Sequence, residues 1–333
     1  MDALIQSGIN ITLALQASLG GLAPLWDAIS QLGTTEFYLL VMPLIYWTVD
    51  PRLGIRLGFL LVLIASLNNI GKLLLHLPRP YWVDSRIAGH WFEPSFGAPS
   101  GHAQMPLGIW GLAAASVRKG WFTALAMVVL VLIGLSRVVL GAHFYFDVLL
   151  GWAIGGLLLW LFLRYDRPVS AWLAVLRPGR QALLVAGVTA VLLVLAALAG
   201  AVAQQAPFPP EWEANAVAAL GDSLHEVASL NETITPIGTF FGLGLGLIWL
   251  RAVGGFQVAG SRQQKILRFV LGAAVVLVLW QGLGAVFPRG TDLVSYAARF
   301  LRYALVGLWA GGGAPIVFVR LGLAGKLYAS SND

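Results

Sequence analysis

The stretch GWFTALAMVVLVLIGLSRVVLGAHFYFDVLLGWAIGGLLLWLFLR, residues 120–164, decides how this chain folds. It holds two uncharged runs, Gly120–Ser136 and Val148–Leu163, parted by a short segment carrying Arg137, His143 and Asp147. A helix that crosses a bilayer needs about 20 mostly apolar residues, within a range of about 17–25. Unpaired backbone groups are so costly in lipid that runs this apolar must be helical. The two runs therefore read as membrane-spanning helices, with polar chemistry held where they meet.

The same pattern extends in both directions. Upstream lie Phe37–Val49, Leu57–Gly71 and Ala103–Val117; downstream lie Gln181–Pro210, Thr233–Leu250, Phe269–Pro288 and Tyr303–Val319. With the first pair these make nine expected spans, and the fold class is an all-α, polytopic membrane helical bundle. Composition agrees: the 333 residues are 58% hydrophobic and 11% charged, where a soluble chain carries about 25% charged residues. Ala3–Leu19 is apolar but interleaved with Gln6, Ser7, Asn10, Thr12 and Gln16. It has no basic n-region or small-residue cleavage site, so it reads as an interfacial helix rather than a signal peptide or a tenth span. With no cysteine, disulfides and thiolate metal sites are excluded.

A net charge of +6 could suggest nucleic acid, but its distribution points to a bilayer. If the spans alternate, one side collects Arg52, Arg56, Arg118, Lys119, the Arg164–Arg180 group, the Arg251–Arg268 group, Arg320 and Lys326, fourteen of the 21 basic residues. Cytoplasmic loops carry such an excess, so this side, with the C-terminus, is expected in the cytoplasm of a bacterial inner (plasma) membrane. The acidic loop Ala203–Glu232, which has no Lys or Arg, would then face the periplasm or exterior. Residues 1–165 carry every motif and read as a catalytic core, 166–180 as a basic cytoplasmic linker, and 181–333 as a four-helix membrane extension. Gly242-Leu-Gly244-Leu-Gly246 would let another helix approach closely, within the chain rather than at a dimer seam.

Three segments at the ends of apolar runs carry the chemistry: Lys72-x6-Arg79-Pro80, Pro99-Ser100-Gly101-His102, and Ser136-Arg137-x5-His143-x3-Asp147. Breaking a phosphate ester needs fixed donors for the equatorial oxygens, an in-line nucleophile and a protonated leaving group. Lys72, Arg79 and Arg137 supply the donors, and the planar fork of arginine suits phosphate in particular. Ser100 is placed to cap the helix beginning near Ala103, whose first amides can bind an anion, and Gly101 permits close backbone approach. His143 and Asp147, four apart, share a helical face. A carboxylate on one imidazole nitrogen fixes the tautomer and leaves the other free to attack.

These segments resemble the three signature motifs of the type 2 phosphatidic acid phosphatase family, whose superfamily includes glucose-6-phosphatase and the vanadium haloperoxidases. The match covers residues 72–147, with the surrounding spans from about 34 to 165. The resemblance implies that His143 attacks phosphorus to form a phosphohistidine, oriented by Asp147. His102 would protonate the leaving oxygen and later activate water. Lys72, Arg79 and Arg137, with Ser100 and the Gly101 amide, would hold the phosphoryl oxygens. It also implies no metal and no cofactor.

Other polar residues read more plainly. His76 is expected to be a satisfied interfacial histidine, and His90, Trp91 and Glu93 to lie in a solvated outer loop. Asp222–Glu226 is a weaker candidate for a lid, and most of the 13 tryptophans read as interfacial anchors. The leading expectation is a membrane phosphatase acting on a lipid (pyro)phosphate at the outer leaflet, with a lipid phosphate and the bilayer as partners and no nucleic acid. Oligomeric state stays open, a homo-oligomer included. Alternatives are phosphotransfer to a lipid or sugar hydroxyl, hydrolysis of a soluble phosphate, to which the resemblance of Arg79-Pro80-Tyr81-Trp82 to the same stretch in glucose-6-phosphatases adds a little weight, and a phosphate-lipid binding or transport protein.

Overall fold

The computed structural model describes residues 2–327. In chain order the helices are α1 (Asp2–Leu19), α2 (Ala23–Gln31), α3 (Thr35–Thr48), α4 (Pro51–Leu75), α5 (Pro80–Val83), α6 (Gly101–Val117), α7 (Gly120–Val139) and α8 (Tyr145–Ala174). Then follow α9 (Pro178–Gln204), α10 (Pro210–Leu220), α11 (Leu224–Val227), α12 (Asn231–Ala252), α13 (Arg262–Leu277), α14 (Leu283–Val286), α15 (Leu293–Leu308) and α16 (Ala314–Arg320). A π-turn joins α13 to α14 and another joins α15 to α16. Among the described residues the only β pairing is the isolated bridge Gln257–Gly325.

Eight helical stretches among the described residues are long and apolar enough to cross a membrane, against nine expected. The difference is α6, whose 17 residues rise about 25 Å, the short end of what can span. At the N-terminus, Ala3–Thr48 forms one largely helical stretch that includes α1. Two of the polar residues that interrupt its hydrophobicity have tertiary uses. Gln16 donates to the Ala88 and Val139 carbonyls and accepts from the Ala88 amide, and Ser7 Oγ lies 3.1 Å from the Tyr145 hydroxyl. The chain is an all-α integral membrane protein.

Two compact units cut across the expected division at 165. One comprises the N-terminal residues through Phe37, Leu67–Leu163 and Leu195–Glu232; the other comprises Tyr38–Ser66, Arg164–Val194 and the chain from Thr233 onward. The expected linker 166–180 is helical except at Val175–Arg177, because α8 runs on to Ala174 and α9 starts at Pro178. Pro168 sits within α8 without ending it.

In the first unit, glycine fixes how α6 meets α8. A methyl group at Gly151 would stand 2.6 Å from the Ser100 carbonyl, and one at Gly155 2.8 Å from that of Gln104. Two glycines one turn apart thus let the start of α6 lie directly on α8. The loop Ala203–Glu232 belongs to this unit, with α10 packed on α5 and Asn215 donating to the Trp82 carbonyl at 2.9 Å.

In the second unit, Gly238, Gly242 and Gly246 face α15, where added methyls would collide with backbone at Phe300, Ala304 and Leu308. The glycine-rich stretch therefore serves helix packing within the chain. Arg268, expected on the basic face, is instead fully buried and donates to the carbonyls of Trp47, Val258, Ala259 and Leu323. Trp47 and Trp82, far from anchoring at an interface, are wholly buried in their units.

Candidate active site

All eight motif residues lie in the first unit, and four helix ends bring them together. Helix α4 ends at Leu75 just past Lys72, with His76 at φ 38° turning the chain toward Pro78, Arg79 and Pro80. Proline at 80 disfavours helical backbone at Arg79, which is extended at ψ 156° and serves as N-cap of α5. Arg137 is in the last turn of α7, and His143 follows in the short connection before α8. Helix α6 starts at Gly101, and the Ser100 amide donates to the Asp147 carbonyl at 3.0 Å, which ties α6 to the first turn of α8.

At the centre stands a residue expected to be solvated, Glu93. Its Oε2 accepts from Arg79 Nη2 at 2.7 Å and its Oε1 accepts from Arg137 Nη2. Lys72 Nζ lies 3.7 Å from Oε2. His102 Nδ1 is 3.4 Å from Oε1, and His143 Nε2 is 4.0 Å from Oε2. One carboxylate therefore touches or approaches three cations and both imidazoles. Burial alone would raise its pKa, but Arg79, Arg137, His102 and Lys72 outweigh it and hold the group well below the usual carboxylate range.

The cations are themselves tightly held. Arg79 Nε donates to the Ser95 carbonyl at 2.6 Å, and Nη1 to that of Ala142 at 2.8 Å with His143 Nε2 at 3.5 Å. Its Nη2 also reaches Ser95 Oγ and the Phe96 carbonyl. Lys72 donates to Ser95 Oγ at 2.8 Å. Arg137 Nη1 donates to Ser30 Oγ on α2, and the guanidinium lies 5.0 Å from the Trp91 ring centroid. The Trp91 ring also packs edge-on to His102 at 5.8 Å.

His143 shows one nitrogen to each side. Nε2 faces the carboxylate of Glu93, while Nδ1 is 3.5 Å from Asp147 Oδ2, longer than a formed hydrogen bond. Asp147 Oδ2 accepts from the Phe144 amide at 2.9 Å. Burial first, then Arg79, pushes the imidazole of His143 well below the ordinary histidine range, so it is neutral. Ser100 occupies the N-cap position of α6 without capping: its buried hydroxyl has no hydrogen-bond partner. The missing side chain of Gly101 makes room for Asn68, whose Oδ1 would be 3.2 Å from an added methyl.

Sequence reasoning missed Glu93, Ser95 and Ser30. Glu93 left a signal in charge bookkeeping. Between Asp50 and Asp147 the only acids are Asp84 and Glu93, and Arg86 neutralises Asp84 two residues away. Glu93 therefore had no local partner, while three motif cations lacked an anion. His76, expected to be satisfied, has a buried Nδ1 without a partner; its ring packs between Phe96 and Phe208, each at 6.4 Å. Asp222–Glu226 does not reach the motif residues directly, though His225 packs on Phe208, which stacks on Phe96.

A polytopic helical membrane protein with a polycationic, two-histidine pocket at helix ends defines the class. Residues 53–171 match the model of the PAP2 superfamily, and residues 234–326 match the PAP2 superfamily phosphatase transmembrane extension. The chain belongs to the PAP2 superfamily. Among similar curated proteins are glucose-6-phosphatase 3 of Rattus norvegicus, 29% identical over 48% of this chain and 54% of its own length, and sphingosine-1-phosphate phosphatase 2 of Mus musculus, 29% over 39% and 38%. Lipid phosphate phosphatase delta of Arabidopsis thaliana is 29% identical over 50% of this chain and 44% of its own. The crystal structure of a PAP2-type phosphatidylglycerolphosphate phosphatase from Bacillus subtilis covers 51% of this chain and 89% of its own, at 26% identity and a TM-score of 0.44. The chain spans about half the length of the curated relatives it matches first.

Proposed function

We propose that this chain is an integral-membrane phosphatase that hydrolyses a lipid (pyro)phosphate at the extracytoplasmic face through a phosphohistidine. One observation carries the reading: Lys72, Arg79, Arg137, His102 and His143 converge on a single anion, the carboxylate of Glu93. A phosphoryl group bound among the same donors would have its negative charge met on several sides, without solvent reorganisation as the transition state forms. The pocket lies where apolar helices end, which suits a head group whose tail stays in the bilayer.

The neutral His143 attacks through Nε2, forming an N–P bond as the P–O bond to the leaving group breaks. Asp147, on the Nδ1 side, stabilises the positive charge that develops on the ring. His102 gives a proton to the leaving oxygen, then takes one from the water that cleaves the N–P bond and releases phosphate. Ser100 Oγ, buried and unpartnered, and the first amides of α6 are available to phosphoryl oxygens. Charge compensation comes from side chains, so the reaction as drawn needs no metal.

The names of the relatives divide between sugar and lipid phosphates, so the substrate panel must contain both. Phosphate release should occur with lipid phosphates and depend on acyl length. His143→Ala should lower it by at least about 10³-fold, and acid-labile phosphoenzyme should be trapped in the parent only. Near-normal turnover by His143→Ala would refute the mechanism. Loss of turnover in EDTA would refute metal independence, and indifference to acyl length would favour a soluble sugar phosphate.

A further inference from the structure

The reaction above gives Glu93 no part, yet Glu93 stands among all three motif cations and both motif histidines. Its carboxylate takes one hydrogen bond each from Arg79 and Arg137 and stands within 3.7 Å of Lys72, 3.4 Å of His102 and 4.0 Å of His143. A phosphoryl oxygen bonded to the same guanidinium nitrogens would collide with it, and two anions in so confined a space repel strongly. Phosphate and this carboxylate therefore exclude each other. Protonation does not vacate the pocket, because the cations keep Glu93 ionised despite burial. Movement must.

Glu93 sits in the non-helical connection between α5 and α6, in a stretch whose neighbours also seal the pocket. Trp91, two residues before, covers the Arg137 guanidinium and the His102 ring. Ser95, two residues after, bridges Lys72 and Arg79 through its hydroxyl.

The competition has a chemical consequence. A carboxylate offers one negative charge and two oxygens. A phosphodiester, the form carried by ordinary bilayer phospholipids, also has one charge and two free oxygens, so it gains nothing by displacing Glu93. A phosphate monoester carries about −1.5 to −2 at neutral pH and three free oxygens. Against three fixed cations it has the stronger claim.

We infer that Glu93 is a displaceable internal anion that occupies the phosphoryl position in the resting protein and makes the site selective for terminal, doubly charged phosphoryl groups over the phosphodiesters of the surrounding lipid. This rests on the phosphatase reading for its biological use, though not for its test. The open, binding-competent form is a minor population in the parent, and apparent affinity is lowered by that fraction.

The test is calorimetric binding of orthophosphate and of dimethyl phosphate, a soluble phosphodiester, to the full chain in non-ionic detergent. In Glu93→Gln, orthophosphate should bind about tenfold more tightly or better, and dimethyl phosphate, excluded by the parent, should bind measurably. Arg79→Ala should abolish both, locating the events in this pocket. If Glu93 only props up the arginines, Glu93→Gln will bind orthophosphate no more tightly than the parent, and the inference falls. Should that variant not fold, the parent still decides. Orthophosphate should change the Trp91 emission, taken as the difference between parent and Trp91→Phe; no change on binding overturns displacement. Neither readout needs turnover, so an inactive protein whose Glu93→Gln form binds phosphate more tightly would sink the phosphatase reading while sustaining this one.

Discussion

His143, the proposed nucleophile, shows how a buried site sets the state of an imidazole. An imidazole in water is partly protonated near neutral pH, but burial, and then Arg79, make the charged form unfavourable here. The lone pair on Nε2 is thus free at the pH where the site would work. The same shift couples to stability. The folded chain holds His143 neutral, while the unfolded chain takes up a proton as pH drops past about 6.5. With the folded pKa below the unfolded one, this contribution is complete above about pH 6.5 and is lost progressively on acidification. Thermal unfolding of the detergent-solubilised protein should therefore weaken between about pH 6.5 and 5, by up to about 1.4 kcal/mol per pH unit from this group, and His143→Gln should flatten that limb. Equal slopes in the two proteins would assign the acid sensitivity to other groups. At this scale the motif residues were legible from their fixed spacing in the chain, although Arg79 and His143 stand in connections between helices, so that His143 and Asp147 do not share the helical face expected of them. Ser95 and Ser30 were not legible, and Glu93 was legible only as an acid without a local partner. They act from a loop and from α2, through contacts 14–107 residues distant in sequence, and no periodicity encodes such contacts.

Among the elements, the α6–α8 contact fixes where the first turn of α6 lies in the site. Gly151 and Gly155 let the first turn of α6, with Ser100 and His102, rest on the helix that begins at Tyr145 and carries Asp147. A methyl at Gly151 would lie 2.6 Å from the Ser100 carbonyl and 2.9 Å from Ala103 Cβ, so α6 would have to move. A displacement of about 1 Å at a reacting group can cost about 10²-fold in rate. Gly151→Ala should therefore lower kcat by about that factor while the protein still folds and inserts, whereas Gly187→Ala, on α9 with open space around it, should be neutral. Equal kcat for both would mean that α6 is not held through this contact. Hydrophobic runs revealed the helices but not this role, since a glycine in an apolar stretch reads the same whether it faces lipid or another backbone. Likewise, the basic composition of 166–180 suggested a linker, although α8 runs through Pro168 as far as Ala174. Composition reported the water boundary there; the backbone kept its helix.

Over the whole molecule, apolar runs fixed the fold class, but contiguity in sequence did not fix the compact units. Each unit gathers segments from separate parts of the chain, because helices that share a face need not be neighbours in order. The orientation proposed for the chain in the bilayer rests instead on charge. Arg164, Arg167, Arg177 and Arg180 cluster at the α8–α9 junction, whereas Ala203–Glu232 has five acids and no Lys or Arg. An excess of basic residues holds its loop in the cytoplasm, which would put the acidic loop and the pocket it adjoins on the outer side. The absence of native cysteine makes this directly measurable. Single cysteines at Ser85 and Ala214, both exposed in the first unit, should react with a membrane-impermeant maleimide added to intact spheroplasts. Cysteines at the exposed Gly179 and Gln263 should react only after the membrane is opened. The reverse pattern would turn the pocket toward the cytoplasm and require a substrate presented from the inner leaflet. Labelling of all four in intact spheroplasts would mean that the assumed alternation of spans is broken, and the short helix α6 is where that alternation is weakest, since a segment of 17 residues only just reaches across the hydrocarbon core.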